Sequence, residues 1–160
     1  MNSPKRILLV EDSARDAELI LDALEPLQLA GNLVHVRDGA EALDYLYRRG
    51  PFAGRSDPQP ILMLLDLKLP KVDGLEVLRQ IKGDAAIRMI PIVMMTSSRQ
   101  EQDLVRSYEL GVNAYVVKPM KFQDFVEAVR QVSGFWAVIN EVPESRGRTE
   151  SLVSSRRPRT

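Results

Sequence analysis

The sequence contains no cysteine among its 160 residues. Disulfide bonds, thiolate metal sites and a cysteine nucleophile are therefore excluded. Basic and acidic residues are equal in number, 22 each, so no net charge points to nucleic acid or an acidic surface as partner. No apolar run approaches the length that spans a bilayer or forms a signal peptide. We therefore expect a cytoplasmic protein that does not enter the membrane.

The composition changes near the carboxyl terminus. The segment ESRGRTESLVSSRRPRT (144–160) holds five Arg and four Ser and almost nothing apolar. Such a segment buries too little surface to offset its ordering entropy. We predict one folded domain over residues 1–142 and a basic, disordered tail over 143–160. The tail is either a solvated terminus or a contact for nucleic acid or an acidic partner.

Short apolar runs alternate along the chain with stretches of helical periodicity. The first, third and fourth runs are almost continuously apolar, which is typical of parallel strands buried on both faces. The strand candidates are RILLV (6–10), LVHV (33–36), ILMLLD (61–66), PIVMMT (91–96) and NAYVVK (113–118).

The stretches between the strands carry helix signals. Ser13 with Asp16 forms an N-terminal capping box, Asp38 and Asp73 precede the second and third helices, and Gly111 ends the fourth. Apolar stripes are expected from Ala17, Ile20, Leu21 and Leu24 in the first helix and from Phe122, Phe125, Val126 and Val129 in the last. Five strands alternating with five helices predict an α/β fold, a flavodoxin-like doubly wound parallel sheet in the order 2-1-3-4-5.

Polar side chains collect where the predicted strands end. Ligands of open parallel sheets bind at the carboxyl ends of the strands. Those ends carry Glu11 and Asp12 on the first strand, Asp66 on the third, Thr96 on the fourth and Lys118 on the fifth. The connection RRGPFAGRSDPQP (48–60) instead enters the sheet at an amino end, so we expect an inert insertion or a partner contact there.

This set of side chains suggests phosphoryl transfer. Three neighbouring carboxylates repel one another, and with only oxygen ligands the hard cation Mg²⁺ is the natural counterion. Asp66 ends the most buried strand and is the best-placed nucleophile. The metal and Lys118 would neutralise charge in the transition state.

Four segments carry a family resemblance. ILLVEDS (7–13), LLDLKLPKVDGLEVL (64–78), PIVMMTSS (91–98) and AYVVKP (114–119) resemble, in order and spacing, the signature segments of the receiver domain of two-component response regulators. The resemblance covers residues 5 to about 133. It implies a signalling domain rather than an enzyme. Such a domain accepts a phosphoryl group from a histidine kinase and catalyses its own phosphorylation and slow dephosphorylation.

The resemblance also implies roles for single residues. Asp66 would be the phosphoacceptor, and Mg²⁺ would be held by Glu11, Asp12, Asp66 and the backbone carbonyl of Lys68. Lys118 would contact the phosphoryl group, and the peptide bond before the next residue, Pro119, is commonly cis in this family. Thr96 and Tyr115 would be the switch residues, read out on the face made by helix four, strand five and helix five.

Two further features resemble a subfamily. The 48–60 loop and the FW pair at 135–136 are similar to single-domain response regulators partnered with phytochrome-type histidine kinases, so a bacterial phytochrome is the candidate kinase. A homodimer through the helix four/strand five/helix five face, or through residues beyond the last helix, is also implied, and Trp136 either packs on the core or lies in that interface. Too few residues follow the receiver for a DNA-binding output domain, so we expect docking or onward phosphorelay.

Three other interpretations remain to be weighed. A phosphatase of the haloacid-dehalogenase type needs a second Asp two residues after its nucleophile, where this chain has Lys68. A flavin or nucleotide carrier needs a phosphate loop rich in Gly, Ser or Thr, where this chain has the acidic EDSARD (11–16). An unphosphorylated adaptor is disfavoured by the complete set of site residues. His35 is expected to be structural, and Lys68, which departs from the family's usual Asn or Met, is expected to alter dephosphorylation.

Overall fold

One parallel sheet organises the chain. A computed structural model describes residues 5–143, and its five strands lie in the order 2-1-3-4-5. They are β1 (Ile7–Val10), β2 (Leu33–Val36), β3 (Leu62–Leu65), β4 (Ile92–Thr96) and β5 (Ala114–Val117). Each lies within its predicted run, and the predicted strand order is confirmed. Of the predicted tail, residues 144–160 lie outside the described part of the chain.

Five α-helices connect and flank the strands in the described residues. They are α1 (Ala14–Leu24), α2 (Gly39–Tyr47), α3 (Gly74–Lys82), α4 (Glu101–Glu109) and α5 (Phe122–Ser133). Ser13, Asp38 and Asp73 cap the first three, because each side chain accepts a hydrogen bond from the backbone N–H three residues on. Gly111 follows α4 with a φ of 95°, the left-handed conformation that glycine tolerates.

The central strands β1, β3 and β4 are buried on both faces, as their continuous apolar runs predict, whereas the edge strands β2 and β5 are mostly half-buried. Leu8 and Val10 of β1 pack with α2 and α3, whereas Ile7 and Leu9 pack with α1 and α5. Two residues of the predicted apolar stripes are exposed instead, Leu21 by 38% and Phe122 by 54%. Leu21 lies at the edge of the narrow stripe by which α1 contacts the sheet, and Phe122 is the first residue of α5, ahead of the turn that packs.

The 48–60 connection has a defined conformation built around Arg55. Its guanidinium stacks over the Tyr45 ring at 4.0 Å and donates to the carbonyls of Tyr45, Asp57 and Pro58. A further donor reaches Gln59 Oε1 at 2.6 Å. Arg55 therefore folds the loop onto α2, at the amino end of β3.

The last helix continues as a π-helical segment, Gly134–Ile139. Trp136 in this segment packs partly against the core cluster beneath α1 and α5, and Phe135 meets its ring edge-to-face at 5.2 Å. Trp136 therefore packs against the core, which is one of the two positions expected for it. Within residues 5–143, no helix has the length and apolar character needed to cross a membrane.

Candidate functional site

Ladder hydrogen bonds continue past the strand ends and fix the backbone of the site residues. The Glu11 N–H donates to the Val36 carbonyl at 3.1 Å, and the Asp66 N–H donates to the Val10 carbonyl at 3.2 Å. The Lys118 N–H donates to the Thr96 carbonyl at 2.7 Å. Glu11, Asp66 and Lys118 are therefore held at the same carboxyl edge of the sheet, as the sequence predicts.

The acidic side chains form one cluster. Glu11, Asp12 and Asp66 each offer a carboxylate oxygen, and these three oxygens lie within 4.8 Å of one another. Glu11 is buried, Asp66 is half-buried and Asp12 is exposed to solvent. The cluster is open on the Asp12 side, so an ion or a phosphoryl group can approach from there.

Lys118 lies against this cluster with only 11% of its side chain exposed. Its Nζ donates to Glu11 Oε2 at 2.8 Å, to Asp16 Oδ2 at 3.0 Å and to Asp66 Oδ2 at 3.1 Å. Burial alone would lower the pKa of Lys118, but its carboxylate partners, Glu11 foremost, raise that pKa above its ordinary value. Lys118 is therefore a permanent cation in the site.

Glu11 is the carboxylate that is hardest to ionise. Burial raises its pKa to about 7, although the hydrogen bond from Lys118 opposes the shift, and the charge of Asp66 raises the pKa further. Near neutral pH a proton and a cation thus compete for Glu11. The donor set of three carboxylates suits a hard divalent cation with oxygen ligands.

The loop after Asp66 is folded tightly onto α3. The Gly74 N–H donates to the Leu67 carbonyl at 2.7 Å, and a Cβ at Gly74 would collide with the Asp66 carbonyl oxygen. Only glycine allows this approach. Lys68, two residues after Asp66, has an exposed side chain at the rim.

A hydrogen-bond network links the two expected switch residues. Thr96 is buried, and its Oγ1 accepts from the Ser98 N–H at 3.2 Å. The Tyr115 hydroxyl donates to the Ser98 carbonyl at 3.1 Å. The Ser98 hydroxyl donates to Asp103 in the first turn of α4 at 2.5 Å. Ser98 therefore joins Thr96, Tyr115 and α4.

Two further expectations concern the edge of the site. None of the described peptide bonds is cis, so the bond before Pro119 is trans, contrary to the isomer that the resemblance implies. Trans is the isomer that an X–Pro bond adopts in the absence of a specific constraint. The His35 ring meets the Glu11 carbonyl through Nε2 at 2.7 Å, which agrees with the structural role expected for it.

Asp16, Ser98 and Asp103 were missed as site residues by sequence reasoning. The sequence pattern places Asp16 in a capping box, and its N–H does bond to the Ser13 hydroxyl. The Asp16 carboxylate, however, accepts a hydrogen bond from Lys118 Nζ instead of from the Ser13 N–H. The Ser13 N–H donates to Glu11 Oε1 at 3.1 Å. The signal available in the sequence was an acid one helical turn after the Glu11–Asp12 pair. Ser98 and Asp103 carry no such signal.

The chain matches known proteins along most of its length. The family model of the response regulator receiver domain matches residues 7–130. The response regulator Rcp1 of Synechocystis sp. is 42% identical over 135 residues, 84% of this chain and 90% of that one. Its Mn²⁺-bound crystal structure superposes with a TM-score of 0.79, over 88% of this chain and 99% of that chain.

Two solved structures of phytochrome response regulators are also similar. The phosphorylated cyanobacterial phytochrome response regulator RcpA has a TM-score of 0.82 and 41% identity, covering 88% of this chain and 99% of its own. The bacteriophytochrome response regulator AtBRR has 58% identity and a TM-score of 0.69, covering 88% of this chain and 100% of its own. The site at the carboxyl edge, the sheet order and these matches agree, and the chain belongs to the response regulator receiver domain family, with close relatives among the phytochrome response regulators.

Proposed function

We propose that this protein accepts a phosphoryl group on Asp66 from a phosphohistidine of a partner histidine kinase, in a reaction that depends on Mg²⁺. The observation that carries the proposal is the convergence on Asp66 of two further carboxylates within 4.8 Å and of the Lys118 ammonium at 3.1 Å. A carboxylate nucleophile can form an acyl phosphate, and a divalent cation and a fixed positive charge would stabilise the charge that develops on the transferring group.

The chain's own residues have separable roles in this transfer. An Asp66 oxygen attacks phosphorus, the bond from phosphorus to the histidine nitrogen breaks, and the imidazole takes up a proton. Lys118 donates to a phosphoryl oxygen and stabilises the charge that accumulates there. Glu11, Asp12, Asp66 and the Lys68 carbonyl would hold Mg²⁺, which when bound supplies charge neutralisation to the transferring group.

The hydrogen bonds that join Thr96, Ser98, Tyr115 and α4 supply a route from the phosphoryl group to the surface. The Thr96 hydroxyl would turn to the new phosphoryl oxygen, and Ser98, bonded to Thr96 through its N–H, would move with it. Tyr115 is bonded to the Ser98 carbonyl and Asp103 to the Ser98 hydroxyl, so β5 and α4 would respond together. The output is a change on the α4/β5/α5 face, read by docking or by onward phosphorelay.

The partner kinase we propose is of the phytochrome type. RcpA and AtBRR are described as a phytochrome and a bacteriophytochrome response regulator, and they match this chain over 88% of its length. Transfer from the kinase's phosphohistidine would take place in the cytoplasm. Purified phytochrome kinase should phosphorylate this protein faster than an unrelated histidine kinase does, and equal rates would contradict the pairing.

We also propose that the protein forms a homodimer through residues beyond α5. Phe135, Val138 and Ile139 in the π-helical segment are apolar and largely exposed, by 48%, 60% and 69%. Light scattering should report a dimer that the double substitution Val138→Asp/Ile139→Asp converts to a monomer. The alternative α4 face is tested by Val105→Asp, and loss of the dimer in that variant alone would overturn the assignment.

Phosphorylation is tested directly with acetyl phosphate and Mg²⁺. Intact mass spectrometry should show one added phosphoryl group that alkaline hydroxylamine removes, as expected of an acyl phosphate. Asp66→Asn should abolish the modification, and Asp22→Asn, the same change on the exposed face of α1, should leave it intact. An unmodified wild-type protein would instead support the adaptor interpretation, and modification of Asp66→Asn would place the acceptor elsewhere.

A further inference from the structure

Asp16 contacts the catalytic lysine without belonging to the carboxylate cluster. It lies in the first turn of α1, and its Oδ2 accepts from Lys118 Nζ at 3.0 Å. The described acidic cluster contains Glu11, Asp12 and Asp66, but not Asp16. The Asp16 side chain is 29% exposed, more than that of Glu11 or Asp66. It is therefore a third acceptor for Lys118, on the solvent side.

The three contacts use every donor that Lys118 has. A lysine ammonium carries three hydrogens and no acceptor. Glu11, Asp16 and Asp66 each take one of them, at distances of 2.8, 3.0 and 3.1 Å. A phosphoryl oxygen that bonds to Lys118 must therefore displace one of these carboxylates.

We propose that Asp16 is a positioning residue that restrains phosphorylation of Asp66, because it occupies the Lys118 hydrogen that the incoming phosphoryl group needs. Of the three acceptors, Glu11 is buried and Asp66 is the nucleophile, so Asp16 is the one that can leave at least cost. Its negative charge also faces a dianionic donor as that donor approaches. Both effects slow the transfer, and both are weakened by Asp16→Asn, which removes the negative charge and leaves only a neutral acceptor.

The inference rests on the proposed function, because it concerns the rate at which Asp66 is phosphorylated. With acetyl phosphate, an Asp66 oxygen forms the new bond to phosphorus, the phosphorus–oxygen bond to the acetyl group breaks, and acetate leaves with the electron pair. Failure of the proposed function appears as an unmodified wild-type protein. Failure of this inference appears as a wild-type protein that is phosphorylated no more slowly than the Asp16 variant.

The decisive experiment compares donors of different charge at saturating Mg²⁺. Asp16→Asn should be phosphorylated by acetyl phosphate about two- to fivefold faster than wild type, the range expected for one partly exposed charge contact. The gain should be smaller with phosphoramidate, which carries one negative charge less near neutral pH. Asp22→Asn, on the exposed face of α1, should match wild type with both donors. A purely structural role for Asp16 would change the phosphorylation rates with the two donors by the same factor.

Metal binding gives a second readout without any phosphodonor. In calorimetric titrations with Mg²⁺, Asp16→Asn should bind about two- to fivefold more weakly than wild type, because one nearby negative charge is lost. A loss of about a hundredfold would make Asp16 a metal ligand and overturn the assignment as a positioning residue. An unchanged or slower rate with acetyl phosphate, in a variant whose circular dichroism matches wild type, would also overturn it.

Discussion

Substitution of Asp12 should separate the effect of the carboxylate cluster on metal binding from its effect on folding stability. Its carboxylate lies within 4.8 Å of oxygens of both Glu11 and Asp66, and Lys118 does not donate to it. The substitution Asp12→Asn therefore removes two repulsions and no attraction within the cluster. We expect this variant to be more stable than wild type without metal and to gain less stability when Mg²⁺ is added.

The size of the effect follows from the geometry. Two unit charges at 4.8 Å repel by about 1 kcal/mol in water and by about 3.5 kcal/mol at an effective dielectric constant of about 20. Asp12 is exposed, so the lower value applies, and its two repulsions amount to roughly 1–2 kcal/mol at low ionic strength. We expect the free energy of unfolding to rise by about 1 kcal/mol, since salt and solvent screen part of this repulsion.

Urea denaturation in EDTA measures the free energy of unfolding of Asp12→Asn and wild type without metal. The measurement is made at pH 8, because Glu11 is ionised above its pKa of about 7. Mg²⁺ at a hundredfold excess over the wild-type Kd should add about 2.7 kcal/mol to wild type. The same concentration should add only about 1.4 kcal/mol to Asp12→Asn if its Kd is tenfold higher.

Two results would refute this reasoning. The first is an Asp12→Asn variant that is equal to or less stable than wild type in EDTA, which would mean that the carboxylates do not repel. The second is an equal gain from Mg²⁺ in the two proteins, which would remove Asp12 from the metal site. Asp22→Asn serves as the control and should behave as wild type in both conditions.

Three further predictions concern pH, the rim and the long loop. The affinity of wild type for Mg²⁺ should fall roughly tenfold per unit as the pH drops below about 7, because the proton on Glu11 competes with the metal; calorimetry giving equal affinities at pH 6 and pH 8 would contradict this. Lys68→Asn should change the lifetime of the acyl phosphate, because the exposed Lys68 side chain lies two residues after Asp66. Equal lifetimes in wild type and Lys68→Asn, measured as phosphate release, would exclude an effect of Lys68 on dephosphorylation. Arg55→Ala should lower the free energy of unfolding by about 2–3 kcal/mol, since its buried guanidinium satisfies several loop carbonyls. Arg49→Ala in the same loop, an exposed side chain, should cost less than about 1 kcal/mol, and equal urea midpoints for the two variants would refute the role of Arg55.

Local patterns were sufficient to predict the sheet and the positions of the charged residues. Continuous apolar runs such as Leu62–Leu65 indicate strands with two buried faces, and alternation with capped helices leaves few arrangements of a parallel sheet. Once the strands are parallel, Glu11, Asp66 and Lys118 must meet at one edge. Their meeting therefore follows from topology and requires no knowledge of side-chain contacts.

Periodicity was less reliable at the margins of helices. Leu21 and Phe122 satisfy the apolar spacing but are exposed, because burial depends on how far around and along a helix the sheet reaches. The 48–60 loop likewise has turn residues throughout, yet one buried arginine gives it a defined fold. Such contacts join residues that no local pattern relates.

By itself, the sequence determined the fold class, the strand order, the family and the set of acids, hydroxyl and lysine at the sheet edge, because those depend on hydrophobic pattern and strand direction. Only the tertiary structure decided that the Asp16 carboxylate accepts from Lys118. It also decided that Ser98 is hydrogen-bonded to Thr96, Tyr115 and α4. Those contacts depend on side-chain rotamers and on distances between separate loops. Physical chemistry fixes such distances only after the sheet has brought the loops together.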